Sequence, residues 1–156
     1  MQEAFLKIID EHQGIIHKIC RMYRDSKEDR EHLYQEIVFQ LWRSYPDFRR
    51  ESRPSTWMYR IALNTAIAVF RKKTLPMDHP ETIPDKFHPT YNNDLPENEE
   101  RMYNALRILN SGEKAIISLY LQDYAYKEIA EIVGITENHV GVQINRIKSK
   151  LKEILK

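Results

Sequence analysis

The chain of 156 residues has one cysteine, Cys20, so it cannot close an internal disulfide, and it fits a reducing compartment such as the cytoplasm. It has no apolar run near the roughly 20 residues that a membrane span needs, so no membrane insertion is expected. Its opening segment, MQEAFLKIIDEHQ, carries Glu3, Asp10 and Glu11 and is unlike a signal peptide. There is no glycine-rich phosphate loop and no nucleophile motif. The six histidines (His12, His17, His32, His79, His88 and His139) are scattered without metal-ligand spacing. No enzyme activity, cofactor or metal is expected on these grounds. Only four glycines are present, and apolar residues recur mostly at helical spacing, so the fold class is all-α.

The chain also lacks a strong net charge, at +1 overall, but that value conceals a pattern. Residues 1–73 carry +4, residues 74–100 carry −6, and residues 101–156 carry +3. Two basic lobes flank an acidic connector, a distribution suited to a nucleic-acid binder. The connector, TLPMDHPETIPDKFHPTYNNDLPEN, runs from about Thr74 to Asn98 and holds five of the seven prolines. It reads as an extended linker. Stretched at about 3.3–3.6 Å per residue, it could span roughly 80–90 Å. Domain boundaries are expected at 1–73, 74–98 and 99–156.

Within the last segment, YKEIAEIVGITENHVGVQINRIKSKL has helix-turn-helix spacing. Ala130 is small where two helices must cross closely, and Gly134 follows where the turn needs a positive φ. Val140, Ile144, Ile147, Leu151 and Ile154 then form one apolar stripe. The opposite face carries Asn138, His139, Asn145, Arg146, Lys148, Ser149 and Lys152, suited to a helix in a DNA major groove. Thr136 should cap that helix. Ahead of it, Asn110 and Glu113 form a capping box for SGEKAIISLYL, with a turn at Gln122–Ala125. A solvated amphipathic surface helix is the competing reading of the last helix.

The first segment divides into several helices. Phe5, Leu6, Ile8, Ile9, Ile15, Ile16, Ile19, Cys20 and Tyr23 indicate one or two, with Gly14 as a weak point. Ser26 and Asp29 resemble a capping box for the next helix, which runs to about Ser44. That helix places Leu33, Tyr34, Ile37, Val38 and Leu41 on one face and His32, Gln35, Glu36, Phe39 and Arg43 on another. An aromatic at the centre of a polar stripe is either a protein-docking surface or packed on a neighbouring helix, and spacing leaves both open. The loop DFRRESRP follows, with Arg49, Arg50 and Arg53, and then Ser55 or Thr56 caps TWMYRIALNTAIAVFRKK. Arg60 and Asn64 share a polar flank of that helix, and Arg71, Lys72 and Lys73 end it favourably for its dipole. Arginines next to Trp57 and Tyr59 suit single-stranded DNA, although Trp57 serves equally as core.

Taken in order, EHLYQEIVFQLWRSYPDF, FRRESRPSTWMYRIALNTAI and LNSGEKAIISLYLQDYAYKEIAEIVGITENHV resemble the extracytoplasmic-function (ECF) sigma factors of the sigma-70 family, over essentially the whole chain. That resemblance implies two helical domains, a region 2 bundle and a region 4 helix-turn-helix, joined by an extended linker. It implies a subunit that binds core RNA polymerase, recognises promoter elements and promotes DNA melting. The polymerase partners would be the clamp helices of the largest subunit and the flap of the second-largest, with His32, Gln35, Glu36, Phe39 and Arg43 as docking residues. The minus-ten contacts would be Arg49, Arg50, Ser52, Arg53, Ser55, Trp57, Tyr59, Arg60, Asn64, Arg71, Lys72 and Lys73. The minus-thirty-five contacts would be Thr136, Asn138, His139, Val142, Gln143, Asn145, Arg146, Lys148, Lys150 and Lys152. The resemblance also implies an anti-sigma protein as partner. The acidic linker would pass through the basic cleft and RNA exit channel of the polymerase.

Several positions depart from the family pattern. His32 stands where Asp is usual, and Ala125 replaces a capping Ser. Gly141 and Gln143 occupy recognition-helix positions that are often basic, and Gly141 costs about 1 kcal/mol of helix propensity relative to Ala. The fold expectation is unaffected; the minus-thirty-five sequence is what these changes put in question. The alternative function is a free-standing helix-turn-helix regulator that binds duplex operator DNA without polymerase.

Overall fold

The computed structural model describes residues 2–48, 53–71 and 96–156. All regular structure among them is helical: α1 (Gln2–Glu11), α2 (Gln13–Tyr23), α3 (Lys27–Ser44), a 3-10 turn (Tyr45–Asp47), α4 (Pro54–Arg71), α5 (Glu97–Ile108), α6 (Ser111–Leu121), α7 (Tyr126–Val133) and α8 (Glu137–Ile154). They form two compact units. One holds residues 2–21, 26–48 and 53–71; the other holds residues 96–156 and the tetrapeptide Met22–Asp25. Most of the expected linker, from 74 to 95, lies outside the described residues, and α5 opens at Glu97, ahead of the expected boundary at 99.

In the first unit most of the apolar residues read from the sequence become the core, while Leu6 and Ile15 are half-buried. Phe5, Ile9, Ile16, Ile19, Ile37 and Leu41 are fully buried, each contributing about 1.5–3 kcal/mol by leaving water. The break between α1 and α2 falls at His12, whose N–H is shared between the Ile8 and Ile9 carbonyls. Gly14 sits just inside α2. Ser26 caps α3 as expected, its hydroxyl accepting the Asp29 N–H at 3.1 Å. The helix then runs to Ser44.

Helix α3 is buried around more of its circumference than a single apolar stripe requires. Arg30, Glu36 and Phe39 join Leu33, Tyr34, Ile37, Val38 and Leu41 in the interior. A helix covered on several sides sits inside a bundle, and its packing seam with α4 is the main one of this unit. Helix α4 begins at Pro54, two residues ahead of Thr56, the first residue of the expected helix. Pro54 occupies its first position, where a missing N–H costs nothing, and the Arg53 carbonyl accepts the Trp57 N–H at 3.1 Å. Ser55 and Thr56 therefore lie in the first turn and do not cap the helix.

The second unit follows the sequence closely. Asn110 Oδ1 accepts the Glu113 N–H at 2.9 Å, and Glu113 Oε1 accepts the Asn110 N–H at 3.0 Å, a complete capping box. The turn after α6 places Asp123 at φ 63, a left-handed conformation that Asp tolerates better than most residues. Helix α7 has half a capping box: Glu128 Oε1 accepts the Ala125 N–H at 3.2 Å, and Ala125 has no side-chain oxygen to return the bond. Gly134 ends α7 at φ 85, and its N–H donates to the Ala130 carbonyl at 2.8 Å. Thr136 then caps α8, accepting the His139 N–H at 3.1 Å. Val140, Ile144, Ile147 and Leu151 are buried in the seams that α8 makes with α6 and α7.

Candidate nucleic-acid and polymerase interfaces

On α8 the stripe opposite the buried residues is open to solvent. Asn138, His139, Val142, Asn145, Arg146, Lys148, Ser149, Lys150 and Lys152 are exposed, and Gln143 is half-buried. Val142 is 43% exposed, placing an apolar contact on the outward face of the helix, where it could meet a thymine methyl. His139 Nε2 and Gln143 Nε2 lie 3.0 Å apart, one turn along the same face.

Two of the three lysines expected among the minus-thirty-five contacts are engaged within the protein. Lys148 stands over the Tyr120 ring, its Nζ 4.6 Å from the centroid, and a hydrogen bond to Tyr120 raises its pKa. Lys150 donates to Glu113 Oε2 at 2.6 Å. Lys152 is exposed. Burial works against ionisation of Glu113. The Lys150 hydrogen bond, the Asn110 N–H and the Lys150 charge outweigh it and hold the carboxyl below its ordinary 4.5. A depressed carboxyl stabilises the fold fully above its ordinary value and loses that contribution as the pH drops through the folded value. Denaturant melts of the chain, followed by far-UV circular dichroism from pH 7 to below 4.5, should therefore show acid destabilisation. Glu113→Gln should flatten it.

Sequence reasoning missed Tyr126, at the start of α7. Its ring lies where a side chain at 141 would begin: a Cβ on Gly141 would meet Tyr126 Cε2 at 3.5 Å, ordinary contact distance. Gly141 is thus not required by crowding. Gly141→Ala is expected to stabilise the second unit by about 0.5–1 kcal/mol, read as a rise in denaturation midpoint. The signal available beforehand was a glycine inside an otherwise regular helix.

In the first unit the outward residues of α3 are Lys27, Glu28, Asp29, Glu31, His32, Gln35 and Arg43. Phe39 is only 2% exposed and Glu36 only 6%, with Glu36 Oε1 accepting from Gln40 Nε2 at 3.1 Å. The expectation of Phe39 as an exposed docking aromatic is therefore corrected. It packs inside the lobe because α3 is covered on more than one side.

Trp57 and Tyr59 are corrected in the same way, at 9% and 2% exposure. Trp57 stacks on Phe48, ring centroids 4.6 Å apart and planes 17° apart, and lies 6.1 Å from Tyr45. Tyr45 in turn meets Phe5 at 5.4 Å, and Phe5 meets Trp42 at 5.0 Å. These rings form the core where the chain passes from α3 to α4. Among the described side chains of α4, the exposed ones are Arg60, Asn64 and Ala68, with Arg53 just ahead of the helix. Arg60 and Asn64 thus share a solvent-facing flank, as their spacing predicts. Arg71 is the last helical residue. Arg49, Arg50, Ser52, Lys72 and Lys73 lie outside the described residues.

A helical unit with an exposed Arg/Asn flank and a separate helix-turn-helix unit define a DNA-binding protein of the helix-turn-helix class. The Sigma-70 region 2 family matches residues 8–75, and the Sigma-70 region 4 family matches residues 99–151. The chain belongs to the sigma-70 family, in its ECF group, and is an RNA polymerase sigma factor.

Relatives support this along the whole length. The ECF RNA polymerase sigma factor SigM of Mycobacterium tuberculosis is 22% identical over 154 residues, covering 97% of this chain and 77% of that protein. RNA polymerase sigma factor SigS of Staphylococcus aureus is 25% identical, covering 94% and 95%. Two solved structures share the fold. CnrH, in complex with the cytosolic domain of CnrY, aligns with a TM-score of 0.68 at 18% identity, over 99% of this chain and 89% of that one. The sigma factor RpoE, in complex with the anti-sigma factor NepR from Bartonella quintana, aligns with a TM-score of 0.66 at 17% identity, over 98% and 94%. Among the described residues, no helix is long and apolar enough to cross a membrane.

Proposed function

We propose that the two units divide promoter recognition between them. Residues 1–73 form a polymerase-docking and minus-ten lobe, residues 74–98 a linker, and residues 99–156 a minus-thirty-five reader. The protein acts in the cytoplasm without catalysis of its own. The observation that carries this reading is the joint presence of an exposed recognition face on α8 and an exposed Arg60/Asn64 flank on α4 in one chain. A free-standing operator binder has use for the first and leaves the second unexplained.

In the first lobe, docking on the clamp helices of the largest polymerase subunit falls to His32, Gln35 and Arg43, the members of the expected set that reach solvent. Glu36 and Phe39 support that face from within. Unpaired minus-ten bases are held by the segment 49–55. Breaking a base out of its stack costs a few kcal/mol, which phosphate contacts from Arg60, Arg71, Lys72 and Lys73 help to offset. In the second lobe, Asn138, Val142, Asn145 and Arg146 meet base edges, while backbone contacts fix the register. The flap of the second-largest subunit is the polymerase partner of this lobe. The solved structures of similar fold are complexes, one of them explicitly with an anti-sigma factor, and this chain is sequestered by a protein of that kind.

Docking is tested by co-purification with core polymerase. The variant Gln35→Glu/Arg43→Glu reverses or adds charge on the exposed α3 strip without touching the buried face. It is expected to lower recovery of the complex by roughly tenfold or more, since truncating or reversing interfacial charge costs about 2 kcal/mol or above. Recovery equal to that of the unaltered chain would remove α3 from the interface.

A further inference from the structure

Lys150 is one of the expected minus-thirty-five contacts, where a lysine commonly meets a phosphate, and its geometry directs it inward. Its ammonium lies 2.6 Å from Glu113 Oε2, while the other oxygen of that carboxylate accepts the Asn110 N–H at 3.0 Å. One carboxylate thus closes the capping box of α6 and holds the C-terminal half of α8. The Glu113 side chain is 8% exposed and that of Lys150 54% exposed. On a helical wheel Lys150 falls about 60° from buried Ile147 and about 40° from exposed Arg146, at the border between the seam and the outward face. To serve a phosphate, the ammonium would leave a buried carboxylate without its charged partner, an expensive exchange.

We propose that Lys150 is a positioning residue, setting the seat of the recognition helix on α6 through Glu113 instead of neutralising a DNA phosphate. The inference rests on the reading of α8 as the minus-thirty-five reader and deepens it. A seat fixed in this way sets the reach of Asn145 and Arg146 along the groove, and with it the spacing between the two promoter elements that the protein accepts. Lys152, one turn from Lys148 and exposed, is the comparison residue.

The test uses holoenzyme assembled from core polymerase and the full chain. Promoter affinity is measured against salt concentration, and initiation is measured on templates whose two elements are moved apart or together by single base pairs. Lys152→Met is expected to reduce the magnitude of the salt slope by about 0.9, the loss of one phosphate contact. Lys150→Met is expected to leave the slope unchanged and to shift or broaden the preferred spacing, a readout that simple loss of folded protein does not move. Glu113→Gln keeps the capping box, since Gln serves at that position, and is expected to give the same spacing change. The double variant should be no worse than either single one, a coupling of at least about threefold. Lys150→Arg should restore the unaltered preference.

A drop of about 0.9 in the slope for Lys150→Met, or a spacing preference unmoved by both single variants, would overturn the inference. Indifference of the unaltered holoenzyme to the upstream element would overturn the reading beneath it, and the inference with it.

Discussion

Trp57→Ala is expected to destabilise the first unit by about 3–5 kcal/mol, the usual result of removing a large buried aromatic. The ring is 9% exposed and stacked on Phe48 at 4.6 Å, so its removal opens a cavity in the core between α3 and α4. A loss of that size is a large fraction of the 5–15 kcal/mol typical of a domain. The variant should therefore show a sharply lowered denaturation midpoint and, for that reason, fail to support initiation. A tryptophan serving only as a stacking platform for bases would behave otherwise. Its removal would leave the melt unchanged and weaken single-strand binding by about 1–3 kcal/mol. Arg60→Ala supplies the contrast from the same helix: exposed, it should alter stability by less than about 0.5 kcal/mol. Far-UV circular dichroism in denaturant separates these outcomes without any DNA present.

The second large effect is expected on α8. Asn145 and Arg146 stand exposed beside Val142 on α8, and the proposed function gives them base-edge contacts. Each good base contact gives about 1–3 kcal/mol of discrimination, so losing two in Asn145→Ala/Arg146→Ala should lower initiation from a promoter carrying an upstream element by roughly thirtyfold to ten-thousandfold. The same variant should retain most of its activity on a template whose upstream element has been scrambled, because the minus-ten lobe is untouched. Equal losses on both templates would point to a folding defect. Equal activity on both would show that these residues read nothing. Both residues are exposed and neither belongs to the buried stripe of Val140, Ile144 and Ile147, so the lobe should melt as before.

The second unit was the more legible in sequence because its signals are local. Gly134 demands a left-handed backbone, Thr136 and Asn110 offer oxygen to helix ends, and the Val140–Leu151 stripe has one period. Each of these acts within a few residues, and each appears in the structure where its spacing placed it. Helix α3 shows the opposite case. Its periodicity marks one buried face correctly, but how many sides a helix has covered depends on its place in the bundle, and spacing does not encode that. Spacing therefore leaves Phe39 open between a docking surface and packing on a neighbouring helix, and the family resemblance that makes Phe39 and Glu36 docking residues does not show that both are buried. Composition was also ambiguous at Trp57 and Tyr59, since aromatics beside arginines are equally the make-up of a core edge.

The Glu113–Lys150 pair had no local signature at all. Its partners are 37 residues apart, and only the crossing of α6 and α8 brings them together. Lys148 over Tyr120 arises in the same way. Cross-helix polar contacts of this kind turn a row of lysines that looks uniform in sequence into one with separate jobs. The recognition face is accordingly less basic in effect than its composition suggests, with Gly141 and Gln143 adding no charge. In the proposed division of roles, a reader built like this depends on being held near its target, which a polymerase-docking lobe in the same chain would provide.

The most direct test is transcription in vitro from a library of randomised promoters, with core RNA polymerase in the presence and absence of the full chain. The account expects transcripts that start at defined sites only when both are present, sharing two conserved elements at a fixed separation, and no tight duplex binding by the chain alone. Binding of the chain to a duplex site without polymerase, with no new start sites when core is added, would contradict it.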